Sequence, residues 1–240
     1  MIRDRRNFLK VALVTPTALA TDILPATSSS KEIPATSRTL AAGNVNAARS
    51  YSFLRPAEAD FVEAVADHMV PADTLSPSGT DIGIPAYIDR ALGGAWGSGE
   101  GLYLGGPWGR GTPSQGYQLP LTPAELFRSG HEIFSKYIFL HHKKTFERMD
   151  FQEKESTLND LFSIVPQLAP EELLENFSSL LYQLVIEGLF SDPVHGGNHD
   201  KAGWKLVGFP GVVATHTRHV VDYLDKPLPI RDYFSISDIS

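Results

Sequence analysis

One apolar stripe in the C-terminal third of the chain constrains the fold most strongly. After Pro170 and two glutamates, large apolar residues recur at three- and four-residue spacings: Leu173, Leu174, Phe177, Leu180, Leu181, Leu184, Val185 and Leu189. At about 3.6 residues per turn, these side chains share roughly half the circumference of one helix. The stripe predicts a long core helix whose broad apolar face other elements must cover.

Four further segments carry helical signals. Pro56 and Pro85 each suit a first helical turn, and the two helices should end before Pro71 and at Gly93-Gly94. Thr122-Pro123-Ala124-Glu125 fits a capping box, which predicts a long helix to about Arg148, with Leu140 on its apolar face. A short helix is expected over residues 151–162. No segment alternates with period two for long enough to predict a strand. The expected fold is mainly α: a single irregular helical domain over residues 51–240 with long loops rich in glycine and aromatic residues.

The N-terminus carries a different kind of signal. Residues 1–20 have a net charge of +3, and Arg5, Arg6, Phe8, Leu9 and Lys10 precede a short apolar run. This pattern resembles a twin-arginine export signal, although a chance Arg-Arg pair is the alternative. The run is too short for a membrane span, which needs about 20 apolar residues. We therefore assign residues 1–26 to a signal segment and 27–50 to a flexible linker, because the linker is rich in Ser, Thr, Ala and Asn.

Residues 93–121 cannot form a regular element. Ten glycines lie between Gly93 and Gly116, together with Trp96, Trp108 and Tyr117. A long irregular segment inside a domain is usually functional or mobile. Two interpretations remain open: an Ω-loop that folds over its own core, or a surface that becomes ordered against a partner protein.

Several kinds of chemistry have no signal in this sequence. The chain has no cysteine, so it offers no disulfide, thiolate metal site or thiol nucleophile. Neither a G-x-G-x-x-G nucleotide motif, a phosphate-binding loop nor a G-x-S-x-G nucleophile elbow occurs. The whole chain carries −7, so residues beyond 20 carry −10, which makes nucleic acid an unfavourable partner. We expect no catalytic residue, no bound cofactor and no metal on this chain.

Two alternative functions stay open at this point. The pairs His195/His199 and His216/His219 have spacings that could ligate a metal in an independent periplasmic metalloprotein. Pro193 and the glycines at 196 and 197 disfavour a helix across the first pair. A secreted carbohydrate-binding module would instead use Trp96, Trp108 and Tyr117 as stacking platforms.

Three stretches together resemble one family. They are residues 53–73, residues 115–126 and, most specifically, GLFSDPVHGGNHDKAGWKLVGFPG over residues 188–211. The resemblance is to the gluconate 2-dehydrogenase subunit 3 family, the small or gamma subunits of membrane-associated FAD-dependent sugar and sugar-acid dehydrogenases. It covers about residues 50–215.

The resemblance implies a non-catalytic subunit of an oxidoreductase complex. In such complexes a large subunit holds FAD, a multihaem cytochrome c subunit passes electrons onward, and the small subunit supports folding and twin-arginine export of the large one. The expected location is the periplasm, at the inner membrane through the complex. Partner contacts are expected from residues 93–121 and 188–211, at Trp96, Trp108, Tyr117, His195, Gly196, Gly197, Asn198, Trp204 and Phe209.

Overall fold

The computed structural model describes residues 50–109, 112, 118–162, 171–212, 217–230 and 232–238. The predicted signal segment with Arg5, Arg6, Phe8, Leu9 and Lys10, nearly all of the linker, and Tyr117 lie outside these residues. Eight α-helices follow one another along the described chain: α1 Pro56–Met69, α2 Gly79–Ile82, α3 Ile84–Gly93, α4 Pro123–His142, α5 Phe151–Phe162, α6 Glu171–Phe190, α7 Ala202–Val207 and α8 Thr217–Asp222. The mainly α prediction is confirmed, since the described residues contain no strand and only one isolated bridge, between Gly211 and Phe234.

The predicted stripe forms the core helix α6. Seven of its members are buried: Leu174, Phe177, Leu180, Leu181, Leu184, Val185 and Leu189. Helices α3, α4 and α5 all pack against α6. Burying one large apolar side chain contributes about 1.5–3 kcal/mol, so this stripe supplies much of the driving force for folding.

Helix α4 confirms the capping box at its start. The Thr122 hydroxyl accepts a hydrogen bond from the Glu125 amide at 3.3 Å, and the Glu125 carboxylate accepts one from the Thr122 amide at 2.8 Å. The predicted end of the helix was wrong, because α4 stops at His142 and Lys143 adopts a left-handed φ of 55°. Leu140, placed on the apolar face by its spacing, is 60% exposed.

Helices α1 and α3 begin within one residue of the predicted starts. The segment before α1 is tied to α3 by Asp89, whose carboxylate accepts hydrogen bonds from the amides of Ser52, Phe53 and Leu54 at 2.8–2.9 Å. Burial alone would raise the pKa of Asp89, but these N–H groups and the Ser52 hydroxyl outweigh it and lower the pKa. Asp89 therefore holds the N-terminal edge of the domain on α3.

The segment rich in glycine and aromatic residues is anchored at its beginning. The Gly97 amide donates to the Ala91 carbonyl at 3.2 Å, and the Gly97 carbonyl accepts from the Ala124 amide at 3.0 Å. A Cβ at this position would overlap the backbone of Leu92, so only glycine lets the chain pass this close to the end of α3. This anchor fixes the neighbouring Trp96 beside α3.

Candidate partner-binding site

The loop that follows α6 owes its shape to several left-handed residues. Asp192 begins it, and its carboxylate accepts a hydrogen bond from the Val194 amide at 3.0 Å. A short 3₁₀ turn, Pro193–His195, then ends at Gly196, which has a φ of 96°. Asn198, Asp200 and Lys201 also have positive φ, and another 3₁₀ turn spans His199–Lys201. Four left-handed residues within six positions give a tightly coiled backbone that is not helical.

Asn198 holds this loop together from within. Its side chain is fully buried. The amide nitrogen donates to the Ser191 carbonyl at 2.8 Å, and the amide oxygen accepts from the Gly203 N–H at 2.8 Å. Its own backbone N–H donates to the carbonyl of Gly188 on α6 at 2.9 Å. One side chain thus ties both ends of the loop to each other.

Two glycines let the loop lie directly on α6. A Cβ at Gly197 would overlap the Gly188 carbonyl, and a Cβ at Gly203 would overlap the Leu189 carbonyl. Both positions are buried. Gly197 and Gly203 of the sequence motif are therefore explained by close backbone approach.

The two aromatic residues at the end of the motif differ in exposure. Trp204 is only 4% exposed, and its indole N–H donates to the Phe190 carbonyl at 2.7 Å. Phe209 packs edge to face on Trp204 with ring centroids 5.3 Å apart, yet it is 46% exposed. Trp204 therefore anchors the motif inside this chain, whereas Phe209 presents an apolar surface.

A C-terminal segment also packs on the loop. The Asp192 carboxylate accepts hydrogen bonds from the Ser235 hydroxyl at 2.8 Å and the Ile236 amide at 2.9 Å. Lys201 forms an ion pair with Asp238 at 2.6 Å. Burial would raise the pKa of Asp192, but the N–H and O–H groups around it lower the pKa instead. Sequence reasoning missed this segment, since no periodic pattern marks it.

The loop also contacts the start and the end of α3. A Cβ on Gly196 would lie 2.6 Å from the nearest nitrogen of Arg90, so the guanidinium is seated against the Gly196 backbone. Gly83, left-handed with a φ of 93°, faces the His199 ring. One ring nitrogen of His199 lies 3.2 Å from the Asp81 carbonyl oxygen. The motif is thereby docked on two helices, α6 and α3.

A cavity of about 430 Å³ opens where these parts meet. Its walls come from α3, α6, the anchored Trp96 and the loop residue His195: Tyr87, Arg90, Ala91, Trp96, Gln183, Glu187 and His195. Trp96 and His195, nearly a hundred positions apart in sequence, are thus brought to one site. Arg90 also lines a second cavity of about 310 Å³, which includes His199 and Asp81.

The polar groups of the larger cavity are partly paired. The Tyr87 hydroxyl donates to Glu187 at 2.9 Å, and the Gln183 amide donates to the other carboxylate oxygen at 2.7 Å. Burial and the hydrogen bond to Glu187 raise the pKa of Tyr87, so the phenol stays protonated as a donor. Across the described part of the chain, the Arg90 guanidinium has no ion pair.

The four polar residues of this cavity other than His195 were missed from sequence. Tyr87 and Arg90 stand three residues apart on α3, and Gln183 and Glu187 stand four apart on α6. Each pair shares one helix face. That spacing was the available signal, but it is common on exposed helix faces and did not single them out.

The predicted contact residues fall into two groups. Trp96, Trp108, His195 and Phe209 are exposed, whereas Gly196, Gly197, Asn198 and Trp204 are buried and shape the loop. Partner contact by these residues stays a prediction, as does any role of Tyr117.

The structure describes three of the four paired histidines: His195, His199 and His219. His195 and His199 lie on successive turns of the loop, in the two different cavities. Within the described ranges, no three His, Asp or Glu side chains form a group able to hold a metal ion. His216 lies outside those ranges, so its pairing with His219 stays a prediction.

Of the helices that the structure describes, none has both the length and the apolar character of a membrane span.

Comparison with known proteins finds a family match. A family model described as gluconate 2-dehydrogenase subunit 3 matches residues 56–211, which runs from the first residue of α1 to the end of the docked loop motif. No curated protein matches the chain, and no solved structure does.

Proposed function

The chain belongs to the gluconate 2-dehydrogenase subunit 3 family, and on that premise we propose that it is the non-catalytic small subunit of an FAD-dependent gluconate 2-dehydrogenase-type complex. In this proposal it binds a large flavoprotein subunit, helps that subunit to fold, and carries it through the twin-arginine translocase. FAD belongs to the large subunit, and haem c belongs to a multihaem cytochrome subunit. The complex works in the periplasm, attached to the inner membrane.

The observation that carries the binding role is the fixed loop after α6. Its backbone is held by the buried Asn198 and by close glycine contacts with α6, while His195 and Phe209 remain exposed at its surface. A preformed loop loses little conformational entropy when a partner binds. Such a loop suits a docking element, because the buried Asn198 amide that holds it is already paired on both its nitrogen and its oxygen.

Exposed apolar side chains extend this surface beyond the loop. Val207, Val212 and Phe234 are all exposed, and the Val212 amide donates to the Phe234 carbonyl at 2.7 Å, which places the last two together. Apolar side chains gathered on one surface are typical of protein interaction sites. These residues support a protein partner.

Affinity capture tests the binding role. We expect the tagged full-length chain, expressed in its native host, to copurify with a flavin-containing protein that oxidises gluconate with an artificial electron acceptor. The tagged chain alone should show no such activity. Elution of the chain without a flavoprotein, or gluconate oxidation by the isolated chain, would contradict the proposal.

The export role has a separate test. Changing both signal arginines, Arg5→Lys with Arg6→Lys, should leave the flavoprotein in the cytoplasm, because the paired arginines are the part of the signal that the translocase reads. The matched control is Arg3→Lys, which alters an arginine outside the pair and should leave export unchanged. Normal periplasmic gluconate oxidation in the double variant would show that this chain does not carry the flavoprotein.

A further inference from the structure

We propose that the cavity between α3, α6 and the loop receives an aspartate or glutamate side chain of the flavoprotein subunit, which forms an ion pair with Arg90. This inference rests on the proposed function and adds the chemistry of the contact. The proposal rests on three observations: the Arg90 guanidinium has no ion pair among the described residues, Gly196 leaves room for it, and exposed side chains surround the cavity.

Arg90 takes part in none of the ion pairs among the described residues, although the chain beyond residue 20 carries a net −10. Several other cations do have acidic partners there: Arg128 contacts Glu58 at 3.4 Å, and Lys144 contacts Glu153 at 2.8 Å. A guanidinium presents five N–H donors in a rigid fork that matches a carboxylate.

The nearest cavity carboxylate does not serve as that partner. Glu187 lines the same cavity as Arg90, yet the two form no ion pair. Both Glu187 oxygens already accept hydrogen bonds, one from Tyr87 and one from Gln183. These two hydrogen bonds direct Glu187 to Tyr87 and Gln183 and leave the guanidinium for a group from outside the chain.

Gly196 leaves room for the guanidinium. A Cβ at this position would lie 2.6 Å from Nη1 and 2.8 Å from Cζ of Arg90. Any larger residue would push the guanidinium out of its seat. Because Gly196 is held by the loop's own hydrogen bonds, the space for the guanidinium exists before a partner arrives, so the loop need not rearrange when an ion pair forms.

The surroundings favour a protein side chain over a free acid. Trp96 lines the cavity and is 36% exposed, and Val194 next to His195 is exposed as well. A partner surface would cover these apolar groups while its carboxylate reaches Arg90, which is the usual organisation of a binding hot spot. A small hydrophilic acid would leave Val194 in water.

Binding measurements with the captured flavoprotein test the proposal. We expect Arg90→Ala to raise the Kd at least about 30-fold, because removal of one partner of an interfacial charge pair leaves the other without a counter-charge. Arg90→Lys keeps the positive charge but loses the planar set of guanidinium N–H donors, so it should raise the Kd about tenfold. The matched control is Arg148→Ala, which removes an exposed arginine that lines neither cavity and should change the Kd less than about twofold.

Two further readouts separate an ion pair from a loss of folding. The Kd of the wild-type chain should rise more steeply with salt than that of Arg90→Ala, since added salt screens a charge pair. Arg90→Gln keeps most of the side chain and should weaken binding like Arg90→Ala at an unchanged melting temperature. If Arg90→Gln and Arg90→Ala bind within about threefold of the wild type, the proposal is wrong.

Titration of the isolated chain distinguishes a free ligand from a partner side chain. Sodium gluconate and glucose at millimolar concentration should leave the NMR signal of the Arg90 side chain unchanged. A shift that Arg90→Gln abolishes would mean that the cavity binds a free sugar acid or sugar, and it would overturn the partner carboxylate. If the wild-type chain captures no flavoprotein, the proposed function fails too; if it captures one that Arg90 variants bind equally well, only the present inference fails.

Discussion

Asn198→Ala gives the sharpest test of how the loop is built. The substitution removes both side-chain hydrogen bonds, to the Ser191 carbonyl and from the Gly203 N–H, at a position with no solvent exposure. It also places alanine at a φ of 48°, where asparagine is tolerated and alanine is strained.

The expected loss follows from these three terms. Each buried group left without a partner costs about 1–3 kcal/mol, and the left-handed backbone costs alanine about 1 kcal/mol more. We therefore expect the free energy of unfolding to fall by about 4 kcal/mol. At a urea dependence of about 2–3 kcal/mol per molar, the unfolding midpoint should fall by about 1.5–2 M.

Two variants separate the contributions. Asn198→Gly relieves the backbone strain and should be about 1 kcal/mol more stable than Asn198→Ala. Asn176→Ala is the matched control: its amide donates to the Glu172 carbonyl at 2.7 Å within α6, and alanine favours the helix, so the loss should stay below about 1 kcal/mol. Urea unfolding followed by circular dichroism measures all three. If Asn198→Ala costs no more than Asn176→Ala, Asn198 does not hold the loop.

Three other substitutions have defined outcomes. Gly130→Ala should destabilise by about 1–3 kcal/mol in urea unfolding, because its Cβ would overlap the Phe177 ring. Asp89→Asn should cost about 2–4 kcal/mol at pH 7, since an amide cannot accept the same set of hydrogen bonds. The pKa of Asp89 is lowered by folding, so its stabilisation is present above about pH 4 and is lost as the pH falls toward the folded pKa; the variant should lack this part of the acid dependence. Trp204→Phe removes the hydrogen bond to the Phe190 carbonyl and should lower stability by about 2 kcal/mol.

Each of these variants has a matched control. Gly109→Ala introduces the same methyl group where no heavy atom lies within 4 Å, so it should be neutral. Asp60→Asn alters an exposed carboxylate on α1. In this control the free energy of unfolding should fall at low pH as it does in the wild type. Trp108→Phe is the control for Trp204→Phe and changes an indole that is already exposed, so it should lower the free energy of unfolding less. Equal effects in a variant and its control would contradict the corresponding argument.

The helices were predictable because their signals are local. The α6 stripe, the Thr122 capping box and the prolines at 56 and 85 each act within one or two turns, and α1, α3 and α6 begin within one residue of the positions that they indicate. The end of α4 was not predictable in this way. His141, His142 and Lys143 are compatible with a continuing helix, and the left-handed Lys143 ends it without a glycine.

Only some residues of the candidate site could be predicted from the sequence. The two segments expected to bind a partner do meet, through Trp96 and His195 at one cavity. Arg90 was missed because its seat is created by Gly196, more than a hundred positions away, and such a pairing is set by tertiary structure alone. The C-terminal cover of the loop, through Ser235 and Asp238, was missed for the same reason.

The motif's glycines and its asparagine act as one unit, and this bears on the partner role. Gly197 and Gly203 bring the loop onto α6, Asn198 locks it there, and only then does Gly196 stand where Arg90 needs an open space. A substitution at Asn198 should therefore weaken partner binding through Arg90, even though the Asn198 side chain is buried in this chain. Combining Asn198→Ala with Arg90→Ala should weaken binding by less than the two single effects together, since both remove the same ion pair. If the losses of binding free energy are fully additive, the loop does not influence Arg90, and α3 alone positions it.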